Sequence, residues 1–242
     1  MIFCSAALFY VKYPYKHQES PPGKMIFRLH IVRHAEGTHN PGHDTTILDP
    51  PLTERGIKQS LELSQDFKFN DSVGLVLASP LRRTLQTAYI GFQQTLDQRF
   101  YPNVPQAGVQ NGANLVLEPD VQAHSSRPCD TGSDISLLQS EYQDVPWDIL
   151  DLNPIFPRKE GLYASDLETL KQRGWRIQRR LHELFKELAN TARPDIVVVT
   201  HGGFMQHITG DDKLGVGPAK ARSFMVSFDQ DSRLIIEHSL SE

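Results

Sequence analysis

The sequence predicts an α/β protein: a three-layer sandwich with a mainly parallel central sheet, helices on both faces, and an insertion capping the site. Two observations predict it. Short β-branched or apolar runs alternate with amphipathic segments of helix length, the pattern of strand–helix units that build parallel sheets. Three of those runs, at residues 29–32, 73–78 and 196–199, stop just short of Arg33-His34, Ser79-Pro80-Leu81-Arg82-Arg83-Thr84 and Thr200-His201-Gly202-Gly203. The carboxyl ends of parallel strands share one edge of an open α/β sheet, and ligands bind at that edge.

The elements follow in order. Residues 26–32 read as the first strand, and Thr53 as the cap of a helix reaching about Phe67. Residues 73–78 (Val-Gly-Leu-Val-Leu-Ala) form a second buried strand, and a helix runs from Leu81 to about Phe92. Leu115-Val116-Leu117 is a short third strand. Leu167, Leu170, Ile177, Leu181, Leu184 and Leu188 recur at helical spacing, so 165–190 is a long amphipathic helix, with Gly174 marking a break in it. Residues 196–199 are the fourth strand, and His201 opens another turn and helix. Residues 222–228 and 234–237 form a terminal hairpin across Asp229-Gln230-Asp231-Ser232.

A chain of 242 residues suits one such domain, spanning 25–242, with 93–165, rich in Pro, Gly and Asn, inserted over the site. A formal charge of −4 gives no electrostatic case for nucleic acid or an anionic membrane. Cys4 and Cys129 provide neither a disulfide framework nor metal-type spacing, which suits a reducing, cytoplasmic setting. Residues 1–11 are rather apolar but lack a basic leader and a small-residue cleavage site, and are too short to span a bilayer. Pro14, Pro21, Pro22 and Gly23 then break the chain, so 1–24 read as a loosely packed extension and Met25 as an alternative start.

The three strand ends would gather two imidazoles and at least two guanidiniums around one point. A phosphoryl group is the guest that chemistry favours, with a histidine as nucleophile. His30, His34, His39 and His43 recur in steps of four or five, but a metal cluster at that spacing needs a helix where the first strand lies. Glu36 is read as bracing its loop and His207 as packed on its helix. Composition alone leaves Arg82 and Arg83 equal as the second guanidinium.

Four motifs resemble those of the histidine phosphatase superfamily, with its phosphoglycerate mutase-like fold, and of its fungal-type phosphatases in particular. They are Arg33-His34-Ala35-Glu36 with Asn40, then Leu52-Thr53-Glu54-Arg55-Gly56, then the run from Ser79 to Ala88, and finally Thr200-His201-Gly202-Gly203. The resemblance implies a phosphohistidine formed on His34. Arg33, Arg83 and His201 become donors to the phosphoryl oxygens, and Asn40 and the Gly202 N–H become helpers. Family spacing selects Arg83 over Arg82. It implies a small phosphorylated substrate, with no metal and no cofactor. Ser125 and Arg127 of the insertion are further candidates to bind substrate, and Tyr142, Trp147, Phe156 and Tyr163 could face a leaving group or pack the cap.

One departure stands out. In Val121-Gln122-Ala123-His124-Ser125-Ser126-Arg127-Pro128-Cys129-Asp130, Ala123 occupies the place where the resemblance leads one to expect the general-acid glutamate. Losing a general acid costs about 10²–10⁴-fold in rate. Three explanations are open: an inactivated, substrate-trapping variant that Ala123→Glu would restore; an acid moved to Glu118, His124 or Asp130; or a binding protein without catalysis. A mutase is the other enzymatic reading.

Overall fold

The computed structural model describes residues 25–143, 145 and 155–240; the extension 1–24 with Cys4, and Trp147, lie outside the described residues. Six strands form one sheet: β1 (Phe27–Arg33), β2 (Val73–Ala78), β3 (Asn114–Leu117), β4 (Asp195–Thr200), β5 (Ala221–Phe228) and β6 (Leu234–Leu240), in the order β3-β2-β4-β1-β5-β6. β3, β2, β4 and β1 run parallel, and β5 and β6 complete the edge antiparallel. The helices are α1 (Glu54–Asp66), α2 (Arg82–Gly91), α3 (Ile135–Glu141), α4 (Leu167–Leu188) and α5 (Gly202–Thr209).

Strand alternation sorts the core into two layers. Leu29, Ile31, Leu75, Leu77, Ile196 and Val198 face α4 and α5 through Ile177, Leu181, Phe185 and Phe204. Val32, Val76, Val197 and Val199 turn to the opposite face, where Leu63, Leu85 and Ala88 of α1 and α2 meet them. Full burial of each such side chain stabilises the fold by roughly 1.5–3 kcal/mol, which pins the register and hence the strand ends. Thr53 caps α1, its hydroxyl accepting from the Gly56 N–H at 2.9 Å.

Three expectations need correction. Gly174 does not break its helix: α4 runs unbroken from Leu167 to Leu188. A Cβ at 174 would lie 2.2 Å from the His207 carbonyl oxygen, so this glycine lets α4 and α5 approach closely. Residues 93–165 are not all cap, since β3 within them pairs with β2 in the sheet, and α3 is a helix that periodicity did not reveal. The hairpin's second strand also runs on past Glu237 to Leu240. Among the described residues no helix is long and apolar enough to cross a membrane.

Candidate active site

β1, β2 and β4 are neighbours in the sheet, so their carboxyl ends deliver Arg33-His34, Ser79 with the start of α2, and His201 to one place. The His34 and His201 rings are 5.1 Å apart between centroids. Arg83, 1% exposed, is wedged among them. Its Nε donates to His34 Nε2 at 3.2 Å and its NH2 donates to His201 Nδ1 at 2.9 Å. NH1 donates to the Cys129 carbonyl at 2.7 Å, and NH2 also reaches Asp130 Oδ1 at 3.0 Å. Arg82 instead turns outward to Glu141, with Nε 2.8 Å from Oε2.

These bonds assign both tautomers. A carbonyl only accepts, so His34 Nδ1 carries its hydrogen toward the Ala35 oxygen at 2.7 Å, leaving the lone pair on Nε2. Arginine only donates, so His201 Nδ1 accepts, and Nε2–H points to Ser79 Oγ at 2.9 Å. Burial, reinforced by the nearby Arg83 charge, holds both imidazoles well below their ordinary pKa of 6.5. Both are therefore neutral at neutral pH.

This has a consequence for stability. Unfolded histidines take up a proton near pH 6.5, whereas His34 and His201 in the fold do so only well below it. Between those two values the unfolded chain binds more protons, so stability falls as pH falls, by up to roughly 1.4 kcal/mol per pH unit for each histidine. Thermal melts should show Tm dropping steadily from pH 7 to pH 5. A flat Tm over that range would contradict buried neutral imidazoles.

The remaining sequence-derived candidates are placed unevenly. The Arg33 guanidinium lies along Gly202, whose built Cβ would be 3.3 Å from Arg33 Nε, and that Nε is buried without a partner. Gly202 opens α5, so its N–H has no intrahelical acceptor. Asn40 is committed to its own turn, accepting from the Gly37 N–H at 2.8 Å and donating to His39 Nε2 at 3.0 Å. Ser125 donates to Asp130 Oδ2 at 2.6 Å and so acts on the site through Asp130. Arg127 is exposed. Glu36 takes the Thr53 hydroxyl at 2.9 Å and Arg55 at 3.3 Å. His30 is away from the cluster, bonded to Ser223 at 2.7 Å. Among the described residues no three His, Cys, Asp or Glu side chains converge as a metal site requires.

Ala123 is 1% exposed, and its methyl packs with Leu81, Phe156 and Tyr163. Those two aromatics therefore pack the loop. The Ala123 carbonyl accepts from Lys159 Nζ at 2.8 Å and from Arg173 at 3.2 Å. Of the alternative acids, Glu118 caps its own turn and faces Arg176 and Arg180 of α4. The exposed His124 ring stands against α5, 2.3 Å from where a Cβ on Gly203 would be. Sequence reasoning missed His39, whose ring lies 6.1 Å from that of His34, and Asp130 as the partner of Arg83. It weighed Lys159 only with Arg127 and Arg158, as cap cations too sparse to hold a second phosphate. Signals existed only for Asp130, in the run Pro128-Cys129-Asp130-Thr131-Gly132.

Residues 29–100, from β1 through α2, match the histidine phosphatase superfamily (branch 1). That match supports assignment of the chain to the histidine phosphatase superfamily. A relative named as a probable phosphatase of Schizosaccharomyces pombe is 29% identical over 177 residues, 72% of this chain and 73% of its own. Phosphoglycerate mutase-like protein 1 of Arabidopsis thaliana is 28% identical over 206 residues, 74% and 69% of the two chains. Among solved structures, mycobacterial hydrolase 1 shares the fold with a TM-score of 0.53 at 17% identity, over 88% of this chain and 98% of that one.

Proposed function

We propose that this protein is a metal-independent phosphatase that hydrolyses a phosphate monoester through a phosphohistidine on His34. The observation that carries the reading is the fixed tautomer of His34: Nδ1–H is held by the Ala35 carbonyl, and the Nε2 lone pair faces the buried Arg83. That nitrogen attacks phosphorus in line. Arg83, Arg33 and the α5 N–H groups then meet the charge on the equatorial oxygens, and His201 joins them by turning its Nε2–H from Ser79 Oγ to an oxygen, the electrostatics phosphoryl transfer needs. Arginine suits this task because its planar fork stays charged and binds two oxygens together. The loop that carries Ala123, Cys129 and Asp130 borders Arg83, and the relative named as a probable phosphatase supports hydrolysis.

A mutase must hold a bisphosphate and therefore needs cations beyond the primary pocket. Arg158 is exposed and spent on Glu160 at 3.0 Å, Arg127 is exposed, and Lys159 turns inward to the Ala123 carbonyl at 2.8 Å; one inward cation is not the cluster a bisphosphate needs, which favours the hydrolase. The test is release of inorganic phosphate from a panel of monoesters, in chelator and without added bisphosphate. Release is the expected result. Phosphate moving between positions of one substrate would mean a mutase, and tight binding with no release would mean a binding protein.

A further inference from the structure

We propose that Lys159 is the proton donor to the leaving group, supplying the acid that residue 123 does not. The inference rests on the phosphatase reading above. Its basis is placement: the Lys159 ammonium is held 2.8 Å from the carbonyl oxygen of Ala123, so an acidic N–H group stands beside the position whose side chain is only a methyl. Two of the alternative acids are engaged elsewhere, and the third, His124, is an exposed ring against Gly203 of α5 whose own variant is part of the test. Both Asp130 oxygens are engaged, Oδ1 by Arg83 and Oδ2 by the Ser125 hydroxyl at 2.6 Å, and Glu118 faces α4.

The groups around Lys159 tie it to the site. Arg173 of α4 and Arg83 of α2 face it as cations, Asp130 and Asp49 face it as anions, and its own charge is felt at His201. Burial, with Arg173 adding to it, lowers its pKa from 10.5 to about 7. A group of that strength can donate a proton and take one back near neutrality.

The steps balance. As His34 Nε2 forms its bond to phosphorus, the bond from phosphorus to the leaving oxygen breaks, and that oxygen takes a proton from Lys159, which becomes a neutral amine. Water then attacks the phosphohistidine and gives its proton to that amine. The P–N bond breaks, phosphate departs, and the ammonium is restored.

The test compares an alkyl phosphate, whose alkoxide must be protonated, with 4-nitrophenyl phosphate, whose phenolate leaves unaided. In Lys159→Met, kcat/KM should fall about 10²–10³-fold for the alkyl ester and less than about tenfold for the nitrophenyl ester. The nitrophenyl reaction should also show a burst near one equivalent, because the second step has lost its base, and the burst certifies a folded site. In the parent, kcat/KM for the alkyl ester should decline above about pH 7. If Lys159→Met shows no burst, Lys159→Arg decides: it keeps a cation but cannot titrate, and should show the same burst and the same selective loss. Equal losses for both esters, parent-like rates, or the selective loss appearing in Asp130→Asn or His124→Gln instead, would each overturn the assignment. So would a hundredfold gain in Ala123→Glu, which would mean that the site lacked an acid. No release from any ester by the parent would overturn the phosphatase reading, and this inference with it.

Discussion

Arg83→Lys should lower phosphate release by about 10³-fold while leaving a folded but less stable protein. The substitution keeps one positive charge and loses the fork. Arg83 serves four acceptors at once: His34 Nε2, His201 Nδ1, the Cys129 carbonyl and Asp130. A lysine ammonium cannot span them in one plane, so at least His201 Nδ1 or the Cys129 carbonyl loses its partner. Each buried group left unsatisfied costs about 1–3 kcal/mol, and for a chain of this size each kcal/mol lowers Tm by about 2–4 °C. The catalytic loss has a separate cause. Arginine clamps on a transferring phosphoryl group contribute about 10³–10⁵ in turnover, and a mobile point charge recovers little of that. Steady-state phosphate release beside a thermal melt separates the two effects. Activity within a few-fold of the parent would remove Arg83 from the site.

Much of this site was legible because it sits where periodicity ends. The apolar runs before Arg33, Ser79 and Thr200 mark strands, strand–helix alternation makes them parallel, and parallel strands share a carboxyl edge; the order that makes β1, β2 and β4 neighbours is not encoded in that pattern. Choosing Arg83 over Arg82 needed the superfamily spacing, since two adjacent arginines at a helix start look alike until one is buried and the other turned to Glu141. What could not be read came from long-range approach. Gly174 looks like a helix breaker in sequence, but its role depends on the His207 carbonyl of a helix it does not adjoin in the chain. Lys159 and Ala123 are far apart in sequence and meet through a backbone carbonyl, which no residue pattern encodes. Asn40 has the residue type to bind an oxyanion, yet local bonding to Gly37 and His39 consumes its amide. A short polar side chain next to a turn satisfies the turn first.

His34→Ala should abolish turnover, by at least about 10⁴-fold, and leave phosphate binding within about tenfold of the parent. The asymmetry follows from how the site is divided. The Nε2 lone pair is the only feature of His34 that forms a bond in the reaction, and alanine removes it entirely. Oxyanion recognition rests instead on Arg33, Arg83, His201 and the start of α5, none of which needs His34 for its position. Arg83 in particular keeps Cys129, Asp130 and His201. Two measurements together decide the matter: calorimetric titration of inorganic phosphate, and trapping of labelled phosphoryl enzyme by alkaline quench, conditions under which a phosphoramidate bond persists. The parent should carry label, His34→Ala should carry none, and His201→Gln should react slowly yet still carry label, because it weakens a donor and spares the nucleophile. Label retained in His34→Ala would place the nucleophile elsewhere. Phosphate binding lost together with turnover would mean that His34 organises the pocket rather than attacks within it.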